Sequence, residues 1–115
     1  MSELIGIVRF KFHSGQQEEF KRLSAQCMEI VRAKDTGTLQ YDTYFNDDQS
    51  EAIVIERFKD SESLIEHAAN LDHMMQPILA TGSVSGELLG EPSAELRALL
   101  GDSEIPQRFT PFQMM

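Results

Sequence analysis

The chain has 115 residues, which is the length of one ordinary domain. Hydrophobic residues make up 41% of it, too many for a disordered chain, and 19 acidic against 10 basic residues give a formal charge of −9. Because such a charge repels phosphate groups, we expect neither nucleic acid nor an anionic membrane as a partner.

The cysteine content and the N-terminal sequence bear on the cellular compartment. Cys27 is the single cysteine, so no intramolecular disulfide can form and a reducing compartment is favoured. The apolar run from Leu4 to Val8 is too short for a signal-peptide core or a membrane span. We therefore expect a cytoplasmic protein.

The first two predicted elements are a strand and a helix. Alternating apolar and basic residues predict the strand over residues 4–13. Ser14 is expected to cap the helix that follows, and Gln17 would complete a capping box. Cys27 lies in the apolar stripe of this helix, so we interpret it as core filler rather than as a nucleophile.

The next two strands are predicted to form a hairpin. Gly37 suits a left-handed exit from the helix, and residues 38–45 then alternate in polarity up to a turn at residues 46–50. The following strand, residues 51–58, is apolar on both faces and must be covered on both sides. Because the chain has enough helix to cover one side, we expect a second copy of the protein to cover the other.

A second helix and a fourth strand follow. Asp60 or Ser61 is the expected cap, and Pro77 predicts a break or kink near residues 72–76. The fourth strand is predicted over residues 83–90. The predicted buried stripe of the helix consists of Leu64, Ala68, Leu71, Met75 and Ile78.

The predicted elements read as strand–helix–strand twice over. Two such units predict a ferredoxin-like βαββαβ fold of the α+β class, with a four-stranded antiparallel sheet and two helices on one face. Residues 1–91 would form this domain. Residues 92–115 would add a short helix between Ser93 and Gly101 and an apolar tail that docks on its own or its partner's barrel end.

One segment carries a resemblance to a known family. The pattern Glu56-x-Phe58-x-Asp60-x-x-x-Leu64-x-x-His67 resembles the third strand and second helix of the antibiotic biosynthesis monooxygenase (ABM) domain. That family often shows a glutamate, an aromatic residue that is usually tryptophan, an aspartate and a histidine at this spacing. The residues SG at 14–15 and GTLQY at 37–41 are similar to its first turn and its second strand.

The resemblance covers residues 4–90 and implies a homodimer whose two sheets close into a dimeric α+β barrel. A pocket would lie between each sheet and its helices. Family members include cofactor-independent oxygenases acting on polycyclic phenols and quinols, haem-degrading enzymes, and proteins with no known activity. This chain contains no tryptophan and has Val8 near the place of an asparagine in the first strand, which argues against the haem-degrading branch.

His67 and Glu56 are the candidate catalytic residues. His67 lies at the edge of the buried helix face and has the ordinary pKa best suited to a general acid or base; the alternative is a structural histidine. Glu56 lies in an apolar strand and needs a partner. Arg9 or Arg57 could pair with it across the sheet, in a purely structural ion pair or in a site.

Five further residues are candidates for substrate binding. Tyr41 and Tyr44 lie on opposite faces of the second strand, so one of the two hydroxyls could bond a phenolic substrate. Phe58 is expected to wall the pocket, and Arg9 and His73 are further polar candidates. No group of residues has the spacing of a metal site.

Two functions stay open at this stage. The first is a monooxygenase of the ABM type, which needs no cofactor because an electron-rich phenolate can reduce oxygen itself once His67 has taken its proton. The second is a non-catalytic dimeric protein that binds a small molecule or acts as a scaffold. A cavity plugged by Phe109 or Phe112 would favour the second function. Convergence of His67, Glu56 and a tyrosine on an open cavity would favour the first.

Overall fold

The computed structural model describes residues 3–115, in which one face of a single sheet is covered by two long helices. The elements in chain order are β1 (Leu4–Phe12), α1 (Gln17–Lys34), β2 (Thr38–Phe45), β3 (Glu51–Phe58), α2 (Ser61–Leu79), β4 (Gly82–Leu89), α3 (Ala94–Leu100) and β5 (Gln107–Phe109).

The strand order is β2-β3-β1-β4-β5. The first four strands are antiparallel neighbours in the order of a ferredoxin-like sheet, so the predicted α+β fold is confirmed. The predicted sheet of four antiparallel strands is wrong, because β5 adds a fifth strand that runs parallel to β4. The outer edge of β4 offers unpaired backbone groups, and residues 107–109 pair with them although two nearby prolines weaken their strand signal.

The face of the sheet under α1 and α2 holds the main core. The antiparallel register places Val8 opposite Val54 and Phe10 opposite Ala52 on this face. Cys27 is 1% exposed, which confirms its interpretation as core filler. The buried cluster comprises Phe10, Phe20, Leu23, Cys27, Val31, Ala52, Val54, Leu71, Met74 and Ile78.

The opposite face of the sheet, here called the outer face, carries the alternate residues of the same strands. Ile7 pairs with Ile55 and Arg9 with Ile53 in the register of β1 and β3. The isoleucines of this face are half-buried. Both faces of the central strands are therefore apolar, as the sequence predicts.

Three of the predicted helix boundaries are confirmed. The carboxylate of Asp60 caps α2 by accepting a bond from the Ser63 amide at 2.9 Å. The hydroxyl of Ser93 caps α3 by accepting from the Leu96 amide at 3.1 Å. Gly101 ends α3 with a φ of 57°, a conformation that favours glycine.

The predicted start of α1 is wrong. The chain first makes a tight turn in which the Gln16 amide donates to the His13 carbonyl at 3.1 Å and Gly15 has a φ of 79°. Gln16 therefore occupies the N-cap position, and its side chain makes no capping bond. Ser14 lies too early in this turn to form the predicted capping box.

Gly37 and Pro77 also differ from expectation. Gly37 does not have a positive φ; a Cβ atom there would instead collide with the Ser63 hydroxyl, so close packing of the loop against α2 requires glycine. Pro77 does not break α2, which continues to Leu79. Because Pro77 lies in the last turn, its missing N–H removes a single bond close to the natural end of the helix.

Residues 94–109 include a helix and a strand that pack on the chain's own fold, whereas Phe112, Met114 and Met115 of the predicted docking tail are exposed. Leu96 of α3 is 2% exposed within a second core cluster that contains Leu4, Phe58 and Leu88. In β5, residues 107–109 pair in parallel with residues 87–89. No helix of the described part of the chain is both long and apolar enough to cross a membrane.

Candidate active site

Helix α2 carries His67 into the space between the helices and the sheet, where carboxylates flank both nitrogens of its ring. Nδ1 lies 2.7 Å from Oδ2 of Asp35, and Nε2 lies 3.6 Å from Oε2 of Glu56. The first distance is that of a hydrogen bond, and the second is an ion-pair distance. The Asp35 side chain is 1% exposed and that of Glu56 is 18% exposed, so only Glu56 is accessible from the cavity.

Asp35 is held as an anion by three donors. It accepts bonds from Oγ1 of Thr38 at 2.6 Å, from Nδ2 of Asn70 at 2.8 Å and from Nδ1 of His67. Burial raises the pKa of this carboxyl, but the three bonds outweigh burial and the pKa lies below its ordinary value. An ionised Asp35 can only accept, so Nδ1 of His67 carries a proton.

The charge on His67 follows from its two neighbours. Burial lowers the pKa of the imidazole, whereas Glu56 and Asp35 raise it, and the net result lies above the ordinary value of 6.5. Protonation of the ring is therefore favoured relative to an ordinary histidine, and the Nε2–H of the protonated ring faces Glu56. Such a pair can donate a proton from the imidazolium and accept one on the glutamate.

A cavity of about 330 Å³ lies between the sheet and the two long helices, and its wall is mainly apolar. His67, Glu56 and Tyr41 contribute to this wall. The stripe of α2 that was predicted to be buried also lines the cavity, and two of its members, Ala68 and Met75, retain exposed surface. A wider groove of about 690 Å³ beside α1 and β2 contains neither His67 nor Glu56.

Aromatic rings hold the imidazole from two sides. The ring centroid of Tyr41 lies 5.3 Å from that of His67, and the centroid of Phe58 lies 5.0 Å away. Phe58 is fully buried behind the imidazole rather than walling the cavity as expected. Burial and the nearby Cys27 and Glu56 raise the pKa of Tyr41, so its hydroxyl stays protonated and can donate a bond.

The expected pairing of Glu56 with an arginine is wrong. Nε of Arg9 donates to Glu87 at 3.1 Å, and Nη2 of Arg57 donates to Glu3 at 3.1 Å. Both arginines have odd numbers on strands whose even-numbered residues, Glu56 among them, face the helices. Their side chains consequently lie on the outer face, away from the cavity.

Tyr44 and His73 are likewise distant from the cavity. Tyr44 is 56% exposed on the outer face, and His73 is exposed on α2. Asp35, by contrast, was not anticipated, because it lies 32 residues before His67 in the loop after α1. The helix dipole disfavours an acidic residue directly after a helix C-terminus, and this misplaced charge is the sequence signal that could have found it.

The donor set suits proton transfer. It consists of the His67 imidazole, the Asp35 and Glu56 carboxylates beside its two nitrogens, and the phenolic hydroxyl of Tyr41. Within residues 3–115, no cluster of three or more His, Cys, Asp and Glu residues is arranged to hold a metal ion.

Comparison with known proteins relates this geometry to a family and to several solved structures. The family model described as antibiotic biosynthesis monooxygenase matches residues 4–76. The fold is similar to that of MupZ from Pseudomonas fluorescens, with 23% identity and a TM-score of 0.82 over 98% of this chain and 88% of that chain. A comparison with curated proteins finds no significant match.

Two further structures share the fold over a smaller part of this chain. Rv0793 from Mycobacterium tuberculosis has 21% identity and a TM-score of 0.69 over 79% of this chain and 96% of that chain. SnoaB, a cofactor-independent oxygenase from Streptomyces nogalater, has 14% identity and a TM-score of 0.68 over 82% of this chain and 97% of that chain. At these identities the similarity concerns the fold alone.

Proposed function

This chain belongs to the antibiotic biosynthesis monooxygenase family, and from that premise we propose that it is a cofactor-independent monooxygenase acting on a small aromatic phenol or quinol. The observation that carries the proposal is the convergence of His67, Glu56 and Tyr41 on one mainly apolar cavity. Phe109 and Phe112, whose insertion would have favoured a non-catalytic protein, are 46% and 97% exposed and do not line it. SnoaB, which shares the fold, is itself a cofactor-independent oxygenase.

The reaction would begin with removal of the phenolic proton. With His67 held as a cation between Asp35 and Glu56, the carboxylate of Glu56, which is the one accessible from the cavity, is the group that accepts this proton. The Nε2–H of the imidazolium then stabilises the phenolate oxygen. The sequence had suggested that His67 takes the proton alone; the two flanking carboxylates make the His67–Glu56 pair the unit that moves it.

The phenolate would next react with oxygen. One oxygen atom replaces hydrogen on a ring carbon and becomes the carbonyl of a quinone. The other oxygen atom leaves as water with the two hydrogens lost from the substrate, so the four electrons given up by the ring reduce one O₂. An apolar cavity admits O₂ and limits access of water to the reactive intermediate.

We also propose that the protein forms a homodimer. Ile5, Ile7, Ile53 and Ile55 form an apolar centre on the outer face and are half-buried in a single chain. Packing this face against the same face of a second copy would remove them from water and close the two sheets into a barrel. Proteins of this family are commonly dimeric.

The test is oxygen uptake with a panel of quinols, naphthols and anthrones. We expect consumption above the rate of autoxidation in protein-free buffer, and a fall of about a hundredfold or more in His67→Ala. His73→Ala is the matched control, because it removes an exposed histidine from the same helix and should leave the rate unchanged. Uptake equal to autoxidation across the panel, or equal rates in wild type and His67→Ala, would overturn the proposal.

A further inference from the structure

The C-terminal segment, residues 91–115, supplies part of the cavity wall. Leu100, Ile105 and Pro106 line the same cavity as His67 and Glu56. These three residues lie beyond position 76, where the match to the family model ends. This part of the wall therefore lies outside the residues that the family model matches, as does β4.

The chain's own hydrogen bonds fix the position of this segment. The Gly90 amide donates to the Phe109 carbonyl at 3.0 Å, which continues the pairing of β5 with β4. Nη2 of Arg108 donates to the Gly101 carbonyl at 2.8 Å. At the other end of α3, the Ser93 amide donates to the Ser61 hydroxyl at 2.8 Å, which ties α3 to the start of α2.

The strand order separates this wall from the polar groups of the site. Tyr41 and Glu56 come from β2 and β3, whereas Ile105 and Pro106 lead directly into β5 at the other edge of the sheet. A ligand that bonds to Glu56 and fills the cavity would therefore extend an apolar part toward the C-terminal segment.

The charges of the cavity wall oppose an anionic ligand. Among residues 3–115, the one carboxylate that faces the cavity is Glu56, because the Glu87 side chain is paired with Arg9 on the outer face. Its one basic side chain is His67, whose charge is shared between two carboxylates. An anion bound beside His67 would face net negative charge at short range in an apolar surrounding.

We infer that the C-terminal segment determines substrate specificity, and that the cavity takes an uncharged, mainly apolar molecule with one hydrogen-bonding oxygen. The oxygen bonds to Glu56 and His67, and the apolar body contacts Ile105 and Pro106. Carboxylates and phosphate esters of the same shape are rejected. The inference rests on the proposed function for the site, but binding can be measured without turnover.

Calorimetry with a matched pair of probes tests whether the cavity rejects anions. The phenol 4-pentylphenol is neutral at neutral pH, whereas 4-pentylbenzoate has the same pentyl chain and ring but is an anion. We expect the phenol to bind at least about tenfold more tightly than the benzoate, because like charges brought together without solvent repel strongly. Equal affinities, or no binding of the phenol, would overturn the inference.

Two substitutions with the same charge change test the role of the C-terminal wall. Ile105 is 52% exposed and lines the rim of the cavity, so Ile105→Asp places a carboxylate beside the bound ligand and should weaken 4-pentylphenol binding by about tenfold. Leu99→Asp is the control, because Leu99 is 65% exposed in the same segment and does not line the cavity. It should change the affinity by less than about twofold.

The outcomes separate this inference from the proposed function. Thermal unfolding of both variants establishes that each remains folded, and Ile105→Ala should weaken binding in the same direction by about threefold. Equal phenol affinities in wild type and Ile105→Asp would overturn the role of the wall. Binding that follows the predicted pattern without oxygen uptake would overturn the oxygenase and leave the inference standing.

Discussion

Replacing Asp35 with asparagine removes a charge from the centre of the site and nearly preserves its shape. Asp35 accepts three bonds, from Thr38, His67 and Asn70, with its two oxygens. An asparagine offers one oxygen and one NH₂ group at the same places. Whichever way the amide turns, its NH₂ group faces at least one of these donors.

The loss of stability in Asp35→Asn can be estimated from these contacts. Each charge-assisted hydrogen bond contributes about 1.5–3 kcal/mol, and removing one partner of a buried ion pair costs about 3–5 kcal/mol. Since the Asp35 side chain is 1% exposed, water cannot replace what is lost. We expect the free energy of unfolding of Asp35→Asn to fall by about 3 kcal/mol near pH 6.

The loss of stability in Asp35→Asn should depend on pH in a direction that can be checked. The lowered pKa of Asp35 contributes stability above its ordinary value of 3.8, and this is lost as the pH falls through the folded-state value. The raised pKa of His67 contributes stability below its ordinary value of 6.5, and this is lost as the pH rises through the folded-state value. The loss of unfolding free energy in Asp35→Asn should therefore be largest at pH values between the ordinary pKa values of these two groups, and smaller on either side.

Urea unfolding followed by circular dichroism measures both effects. Asp72→Asn is the control, because it removes an exposed charge from α2 and should change the free energy of unfolding by less than about 0.5 kcal/mol. If Asp35→Asn were as stable as Asp72→Asn across this pH range, the hydrogen-bond network assigned to Asp35 would be refuted.

Three further substitutions test the fold and the assembly. Phe20→Ala should lower the free energy of unfolding by about 3–5 kcal/mol, because this 2%-exposed ring is in the main core; a loss under about 1 kcal/mol in urea unfolding would contradict that packing. Gly37→Ala should cost about 1–3 kcal/mol, since its methyl group collides with the Ser63 hydroxyl; unchanged stability would mean that the loop moves freely. Ile55→Lys should convert the proposed dimer to a monomer in light scattering, whereas Ala69→Lys, at an exposed position of α2, should not; a dimer that persists in Ile55→Lys would contradict the proposed interface.

Much of the fold could be predicted because its signals are local. Alternation in residues 51–58 and the caps at Asp60 and Ser93 each depend on a few neighbouring residues. β5 could not be predicted, because its three residues gain their strand conformation from pairing with β4. The effect of Pro77 was misjudged because α2 ends at Leu79, so Pro77 lies in the last turn, where its missing N–H removes a single bond.

The site was predictable only in part, for a geometric reason. His67 and Glu56 belong to one continuous motif, so their proximity follows from a strand that leads into a helix. Arg9 was assigned to the wrong face of the sheet. The sequence shows that it alternates with Val8 and Phe10, which face the helices. The acidic residue after α1 could have marked Asp35 as unusual, but its contact with His67, 32 residues later, arises from the packing of α1 beside α2.

His67 is held as a cation between Asp35 and Glu56 in the proposed mechanism, and nitrogen NMR of the imidazole tests this charge directly. Titration of the ¹⁵N-labelled protein should give a pKa for His67 above 6.5, with Nδ1 still bonded to its proton at the end of the titration. The pKa should fall in Glu56→Gln. A pKa at or below 6.5, unchanged in Glu56→Gln, would contradict the assigned charges and with them the proposed route of the proton.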